Sequence, residues 1–290
     1  MQRAYVAEIV TPKKVSLNGL WFGPRKAKRV FIFVHGLTAS AFSMHRLLSV
    51  LVDSRTAVLT FNNRGFEQIA EVKRKMRRKS AWFPAGAGRE IFKECVDDIQ
   101  GAINLARKMK AKQIYLLGHS TGAQKAIYWA SKQKRNPKVK GIVLLGPLSD
   151  YAGAVAREAA GKLKKAVDYA KNLVQRGHPN TLMPSELGPW FICDAQRFLS
   201  LYTPDSHEEI FTYAQPKKIP RTLQKVKIPI LVLLAGADEH GDRPAKDIAR
   251  WFQENIDVKH DVIIIPGANH SFFKREGHVL GAIAHFIKDR

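Results

Sequence analysis

Gln113-Ile-Tyr-Leu-Leu-Gly-His-Ser-Thr-Gly-Ala-Gln-Lys-Ala-Ile-Tyr-Trp-Ala130 decides the reading of this chain. Its first five residues form a short apolar β run, and Ala123, Ala126, Ile127 and Ala130 then recur at helical spacing. Between them stands Gly118-His119-Ser120-Thr121-Gly122, a G-x-S-x-G that turns strand into helix and exposes a serine on a strained turn. Glycines belong there because neighbouring backbone would otherwise collide with a Cβ. The pentapeptide alone occurs by chance in roughly one chain of this length in ten, so its flanks carry the weight.

Outward from this stretch, apolar β runs alternate with helical patterns. Residues 30–34, 57–61, 114–117, 141–145, 230–234 and 262–265 are short, apolar and nearly uncharged, as strands buried on both faces must be. An antiparallel pair near residues 5–9 and 14–22 precedes them. Residues 90–109 place Phe92, Val96, Ile99, Ile103, Ala106 and Met109 on one stripe, and residues 245–252 and 279–287 pass the same test. These patterns predict an α/β fold with a mostly parallel central sheet and helices on both faces. Residues 148–222 break the alternation with a long helical pattern over 152–174, stopped by Gly177 and Pro179. The division predicted is a core over residues 1–147 and 223–290, with a mainly helical lid insertion over 148–222.

A serine hydroxyl is a weak nucleophile, needing a base within hydrogen-bond reach and an acid to orient that base. Asp238, in Ala235-Gly-Ala-Asp-Glu-His240, and His270, in Pro266-Gly-Ala-Asn-His270, each follow a late strand in the order Ser, Asp, His. Glu239 and Asp242 are rival acids, but Asp238 comes first after its strand and Gly236. His240, His260 and His278 are rival bases; His260 precedes its strand and His278 begins a helix. His119 reads as a packing or supporting neighbour pointing away from the site, and Glu94, Asp97 and Asp98 as the solvent face of their helix. A tetrahedral intermediate needs backbone donors, for which the Thr121 amide and the Leu37 amide of His35-Gly36-Leu37-Thr38 are the candidates. Thr38, Trp82, Phe83, Trp190 and Phe191 are candidates for the substrate pocket, the four aromatics being equally readable as core or lid packing.

Forty-eight Lys and Arg against 25 Asp and Glu give a formal charge of +23, which favours anionic molecules and surfaces. The densest run, Lys73-Arg-Lys-Met-Arg-Arg-Lys79, reads as a solvated loop or helix, with nucleic acid, anionic lipid or a charged substrate as the functional alternatives. No nucleic-acid module accompanies it, so no specific nucleic-acid partner is expected. Cys95 and Cys193 are expected as buried free thiols. The first residues lack an apolar h-region and no stretch reaches the length of a membrane span, which predicts a cytoplasmic protein. No metal-ligand spacing, G-x-G-x-x-G or P-loop is present, so no cofactor or metal is expected.

With elbow, oxyanion turn and ordered Asp and His in place, the chain resembles the α/β-hydrolase superfamily from about Val30 onward. More narrowly, Gly118-His-Ser-Thr-Gly-Ala-Gln124, Gly141-Ile-Val-Leu-Leu-Gly-Pro-Leu-Ser-Asp150, Arg197-Phe-Leu-Ser-Leu201 and Ile264-Ile-Pro-Gly-Ala-Asn-His270 resemble the DUF1749 family, which includes fungal fusarinine C esterases. The resemblance implies an esterase with Ser120, Asp238 and His270 as its triad. After Phe61-Asn-Asn-Arg-Gly65 this chain has a basic run where that family pattern would have a Ser/Gly-rich segment, so a siderophore substrate does not follow. The expectation is a serine carboxylesterase acting on a small to medium acyl or aryl ester through an acyl-enzyme. The alternatives are a thioesterase for acyl-CoA-like anions, a siderophore esterase, and a binding protein that uses its basic surface.

Overall fold

The computed structural model describes residues 3–76, 79–133, 138–158, 161–188 and 191–288. Trp190 of the predicted pocket, and Arg77 and Arg78 of the basic run, lie outside the described residues. Ten strands form one sheet: β1 (Ala4–Val10), β2 (Val15–Phe22), β3 (Arg29–Val34), β4 (Thr56–Phe61), β5 (Ala70–Lys75), β6 (Ser80–Ala85), β7 (Gln113–His119), β8 (Val139–Leu145), β9 (Ile230–Ala235) and β10 (His260–Ile265). From one edge the order is β10-β9-β8-β7-β3-β4-β2, with β1 antiparallel to β2. From β4 to β10 all pairings in this series are parallel, while β2 meets β4 antiparallel. The six predicted core strands are all present, as is the N-terminal pair.

The helices are α1 (His45–Ser49), α2 (Cys95–Lys108), α3 (Thr121–Ser131), α4 (Asp150–Ala156), α5 (Lys162–Gln175), α6 (Ala195–Tyr202), α7 (Arg221–Gln224), α8 (Ala245–Asn255) and α9 (Glu276–Lys288). Ile99, Ile127 and Phe252 bring α2, α3 and α8 onto one face of the sheet; Leu47, Leu48, Ile283 and Phe286 bring α1 and α9 onto the other. Each such buried side chain stabilises the fold by about 1.5–3 kcal/mol. A separate apolar cluster of Ala166, Ala170, Phe191, Cys193, Phe198, Leu201 and Tyr202 holds the segment between β8 and β9 together, and Leu37 packs against it. Cys95 and Cys193 are buried free thiols.

Three expectations are corrected. The helix predicted over 152–174 is two helices, α4 and α5, with Gly161 in the left-handed region at φ 75° just before α5. Lys73, Arg74 and Lys75 of the basic run are strand rather than loop or helix: they end β5, which pairs antiparallel with β6 and meets β2 at Val15 and Ser16. Asp97 and Asp98 do not face solvent, being 7% and 1% exposed, because Arg64 from the loop after β4 reaches them. Its Nε donates to Asp98 and its Nη2 to Asp97, both at 2.7 Å, and Nη1 pairs with Glu94 at 2.7 Å. Burial nevertheless pushes the Asp98 carboxyl up to about 6.

Candidate active site

β7 delivers Ser120 at φ 54°, ψ −127°, one residue before α3 begins. A non-glycine residue pays for such a conformation only where the surroundings hold it. Here the Ser120 amide donates to the Leu145 carbonyl at 3.0 Å, and the elbow sits against the end of β3 so closely that a Cβ on Gly122 would overlap the Val34 carbonyl. A Cβ on Gly36 would likewise come within 2.8 Å of the Ser120 Cβ. The sequence pattern therefore has its expected steric cause.

The loops after β9 and β10 bring Asp238 and His270 together, with the imidazole Nδ1 2.8 Å from Asp238 Oδ2. The other carboxylate oxygen accepts the His240 amide at 3.0 Å. Glu239, a rival acid, instead accepts the His270 backbone amide at 2.8 Å, and Asp242 is paired with Arg243 at 2.7 Å. His240 stacks edge-on against His270 with centroids 4.9 Å apart. His260 begins β10 and bonds to the Val258 carbonyl, and His278 lies in the first turn of α9. Ser120 and His270 line one cavity without a hydrogen bond between them, a contact that commonly tightens only with substrate.

That cavity, of about 260 Å³, is walled by Gly36, Leu37, Thr38, Ala39, His119, Ser120, Leu148, Ser149, Asp150, Gly153, Arg157, His240 and His270. Leu37 and Thr38 thus line this cavity; Trp82 and Phe83 lie on β6 and Phe191 in the apolar cluster of the segment between β8 and β9, none of them on this wall. Neither the Leu37 nor the Thr121 amide is engaged in a hydrogen bond among the described residues. His119 is nearer than expected: its Nε2 is 3.0 Å from the His270 carbonyl oxygen. Burial and the neighbouring His270 pull its pKa down to about 4, so near neutrality it is uncharged and Nε2 carries the donated proton.

The sequence reading missed Asp150 and Arg157. Asp150 stands five residues past Leu145, the end of β8, as His270 stands five past Ile265, the end of β10, a placement that could have flagged it. Its carboxyl receives a 3.3 Å hydrogen bond from Gln124, and burial, then the Glu208 carboxylate, push it up to about 7. Also missed was Gly146, at φ 54°, whose absent side chain leaves room for His270: a Cβ there would be 3.1 Å from Nδ1.

Beneath the cavity runs a buried polar chain. The Asn63 amide donates to His35 Nε2 at 3.2 Å, which fixes the proton on Nδ1 and lets it donate to the Gly36 carbonyl at 2.9 Å. Burial, then Lys125, pull His35 down to about 3, keeping it neutral. Lys125 of α3 donates to Asn63 Oδ1 at 3.1 Å and pairs with Glu90 at 2.7 Å; Glu90 also meets Arg197 of α6 at 3.1 Å, and Arg197 pairs with Glu208. The loop after β3, the helix α3 and the segment between β8 and β9 are thereby fixed to one another. Among the described residues, no group of three His, Cys, Asp or Glu is placed to hold a metal ion.

A sheet ordered β1-β2-β4-β3-β7-β8-β9-β10, a serine at the turn into α3, and an Asp–His pair after β9 and β10 define an α/β hydrolase by fold. Across 99% of its length the chain is similar to the Pyrococcus furiosus esterase Pf2001, covering 91% of it at 16% identity and a TM-score of 0.60. It is similar over 99% of its length to 98% of the α/β hydrolase GrgF from Penicillium sp. sh18, at 14% identity and a TM-score of 0.66. Residues 73–287 match the family model described as "Protein of unknown function (DUF1749)", and the chain belongs to that family. Over 173 residues, 56% of the chain, it is 28% identical to phospholipase YtpA of Bacillus subtilis strain 168, spanning 61% of that relative's length.

Proposed function

We propose that the protein is a serine ester hydrolase working through an acyl-enzyme. Ser120 is the nucleophile, His270 takes its proton and later returns it to the leaving alcohol, and Asp238 holds the imidazole in the tautomer this requires. The Leu37 and Thr121 amides receive the oxyanion of the tetrahedral intermediate. The observation that carries this reading is Ser120 on a strained strand-to-helix turn, sharing one cavity with the Asp238–His270 pair. The cavity's modest volume supports a small to medium ester around the reacting carbon. Likeness to a phospholipase over part of the chain favours, within that class, an acyl ester of a lipid.

Hydrolysis of p-nitrophenyl acetate and butyrate by the purified chain tests this directly. Ser120→Ala is expected to lower kcat at least about a thousandfold and to abolish labelling by a fluorophosphonate. Turnover that survives this substitution would sink the proposal. A screen across acyl lengths and aryl esters, with paired oxygen esters and thioesters, then identifies the substrate arm.

A further inference from the structure

The β5–β6 hairpin leaves the sheet with side chains that the fold does not bury. Trp82 is 63% exposed and stands directly opposite Lys73 in the register, while Met76, just past the end of β5, is 51% exposed. Arg74 lies over the Phe83 ring at 5.0 Å, so this guanidinium is already occupied on the hairpin itself. The Lys75 amide donates to the Lys14 carbonyl at 2.7 Å, which sets the exposed Lys13 and Lys14 of the β1–β2 turn alongside. Two carboxylates temper the patch: Glu8 pairs with Lys75 at 2.7 Å, and Glu71 is exposed on β5. Lys13, Lys14 and Lys79 remain exposed, while the half-buried Lys73 also lies in the field of Glu8, on a chain whose net charge is +23.

The root of the hairpin adjoins the catalytic cavity. The Glu67 amide donates to the carbonyl of Ala39, a cavity residue, at 3.0 Å, and the Ile192 amide donates to Gln68 at 3.4 Å. Around these contacts Phe42, Ile69 and Ile192 are 69%, 51% and 53% exposed. Exposed Ile, Phe, Met and Trp next to lysines gain little on a sugar-phosphate backbone, where affinity comes from charge. At the headgroup boundary of a bilayer the same set fits: Trp seats at the interface, aliphatic side chains leave water, and lysines meet anionic headgroups. No helix among the described residues is long and apolar enough to cross a membrane, and attachment from one side needs none.

We propose that strands β5 and β6 and the adjoining β1–β2 turn form a docking surface for an anionic lipid bilayer, with Trp82 as the interfacial anchor and Lys13, Lys14 and Lys79 as charge contacts. This surface orients the cavity mouth toward the membrane. It goes beyond the hydrolytic reading and is measured by binding alone.

Co-sedimentation of the full chain with vesicles of phosphatidylcholine, and of phosphatidylcholine mixed with phosphatidylglycerol, tests it. Partitioning onto the mixed vesicles is expected at low salt, with loss on raising the salt as the Debye length contracts from about 10 Å to about 3 Å. Trp82→Ala should weaken it about tenfold, with an unchanged thermal midpoint because the side chain packs on little. Lys13→Glu with Lys14→Glu, outside the hairpin strands, should weaken it and flatten its salt dependence, which keeps the test valid if Trp82→Ala misfolds. Equal binding to both vesicle types, or full binding by both variants, overturns the proposal. So does tighter binding to duplex DNA than to the mixed vesicles at the same salt.

Discussion

Gly146 governs the room available to the His270 imidazole. Its left-handed backbone at φ 54° already favours glycine, and an added Cβ would press on His270 Nδ1 and Cε1 at 3.1 and 3.2 Å. Gly146→Val is therefore expected to lower kcat by about 10- to 100-fold with a smaller change in KM, measured on a short soluble ester. An unchanged kcat would show that His270 tolerates displacement. Asp150 gives a pH-dependent prediction. Its folded carboxyl is held up to about 7, whereas the unfolded chain loses that proton near about pH 4. The unfolded state thus binds fewer protons through this window, and stability falls as pH rises from about 4 to 7. Asp150→Asn should stabilise the fold by about 1–3 kcal/mol at pH 8 and by little at pH 4, read from urea unfolding. A gain of equal size at both pH values would contradict the assignment.

Among the elements, the contact between α3 and α6 rests on buried charge. Glu90 is shared by Lys125 and Arg197, so Glu90→Ala leaves Lys125 with Asn63 as its sole remaining partner in the network. Thermal unfolding should report a loss of about 3–5 kcal/mol, the cost of stranding a buried cation. Glu90→Gln combined with Lys125→Met should lose less than Glu90→Ala alone, since the charge and its counter-ion then leave together; a double variant as damaged as the single would refute this. The core strands were legible because burial on both faces demands unbroken apolar runs, and the elbow because its glycines are sterically required. The hairpin was not, because Lys and Arg are poor strand formers and Val72 alone marks the buried face of β5. Nor did helical periodicity show that Asp97 and Asp98 turn inward, since their partner Arg64 comes from a different loop. The end of α4 at Ala156 was hidden because Arg157 and Glu158, which follow it, have good helix propensity.

For the molecule as a whole, a formal charge of +23 means that self-repulsion opposes compactness. Screening relieves it, so the thermal midpoint should rise by a few degrees between about 0.01 and 0.15 M salt; calorimetry that finds a falling midpoint would point instead to dominant attractive pairs. The fold also shows where such a highly charged chain keeps its interior neutral. Lys125 and Glu90 belong to the core, while Arg197 and Glu208 both belong to the insertion between β8 and β9. Each partner in this seam brings its own counter-ion. Parting them breaks the Arg197–Glu90 contact and the bond from Arg197 Nε to the Ala87 carbonyl, yet leaves Lys125 with Glu90 and Arg197 with Glu208. A second tie crosses here, from Arg89 to the buried Asp194 at 3.9 Å, so separation would cost that carboxylate its cation while leaving α3 with its own charge balanced.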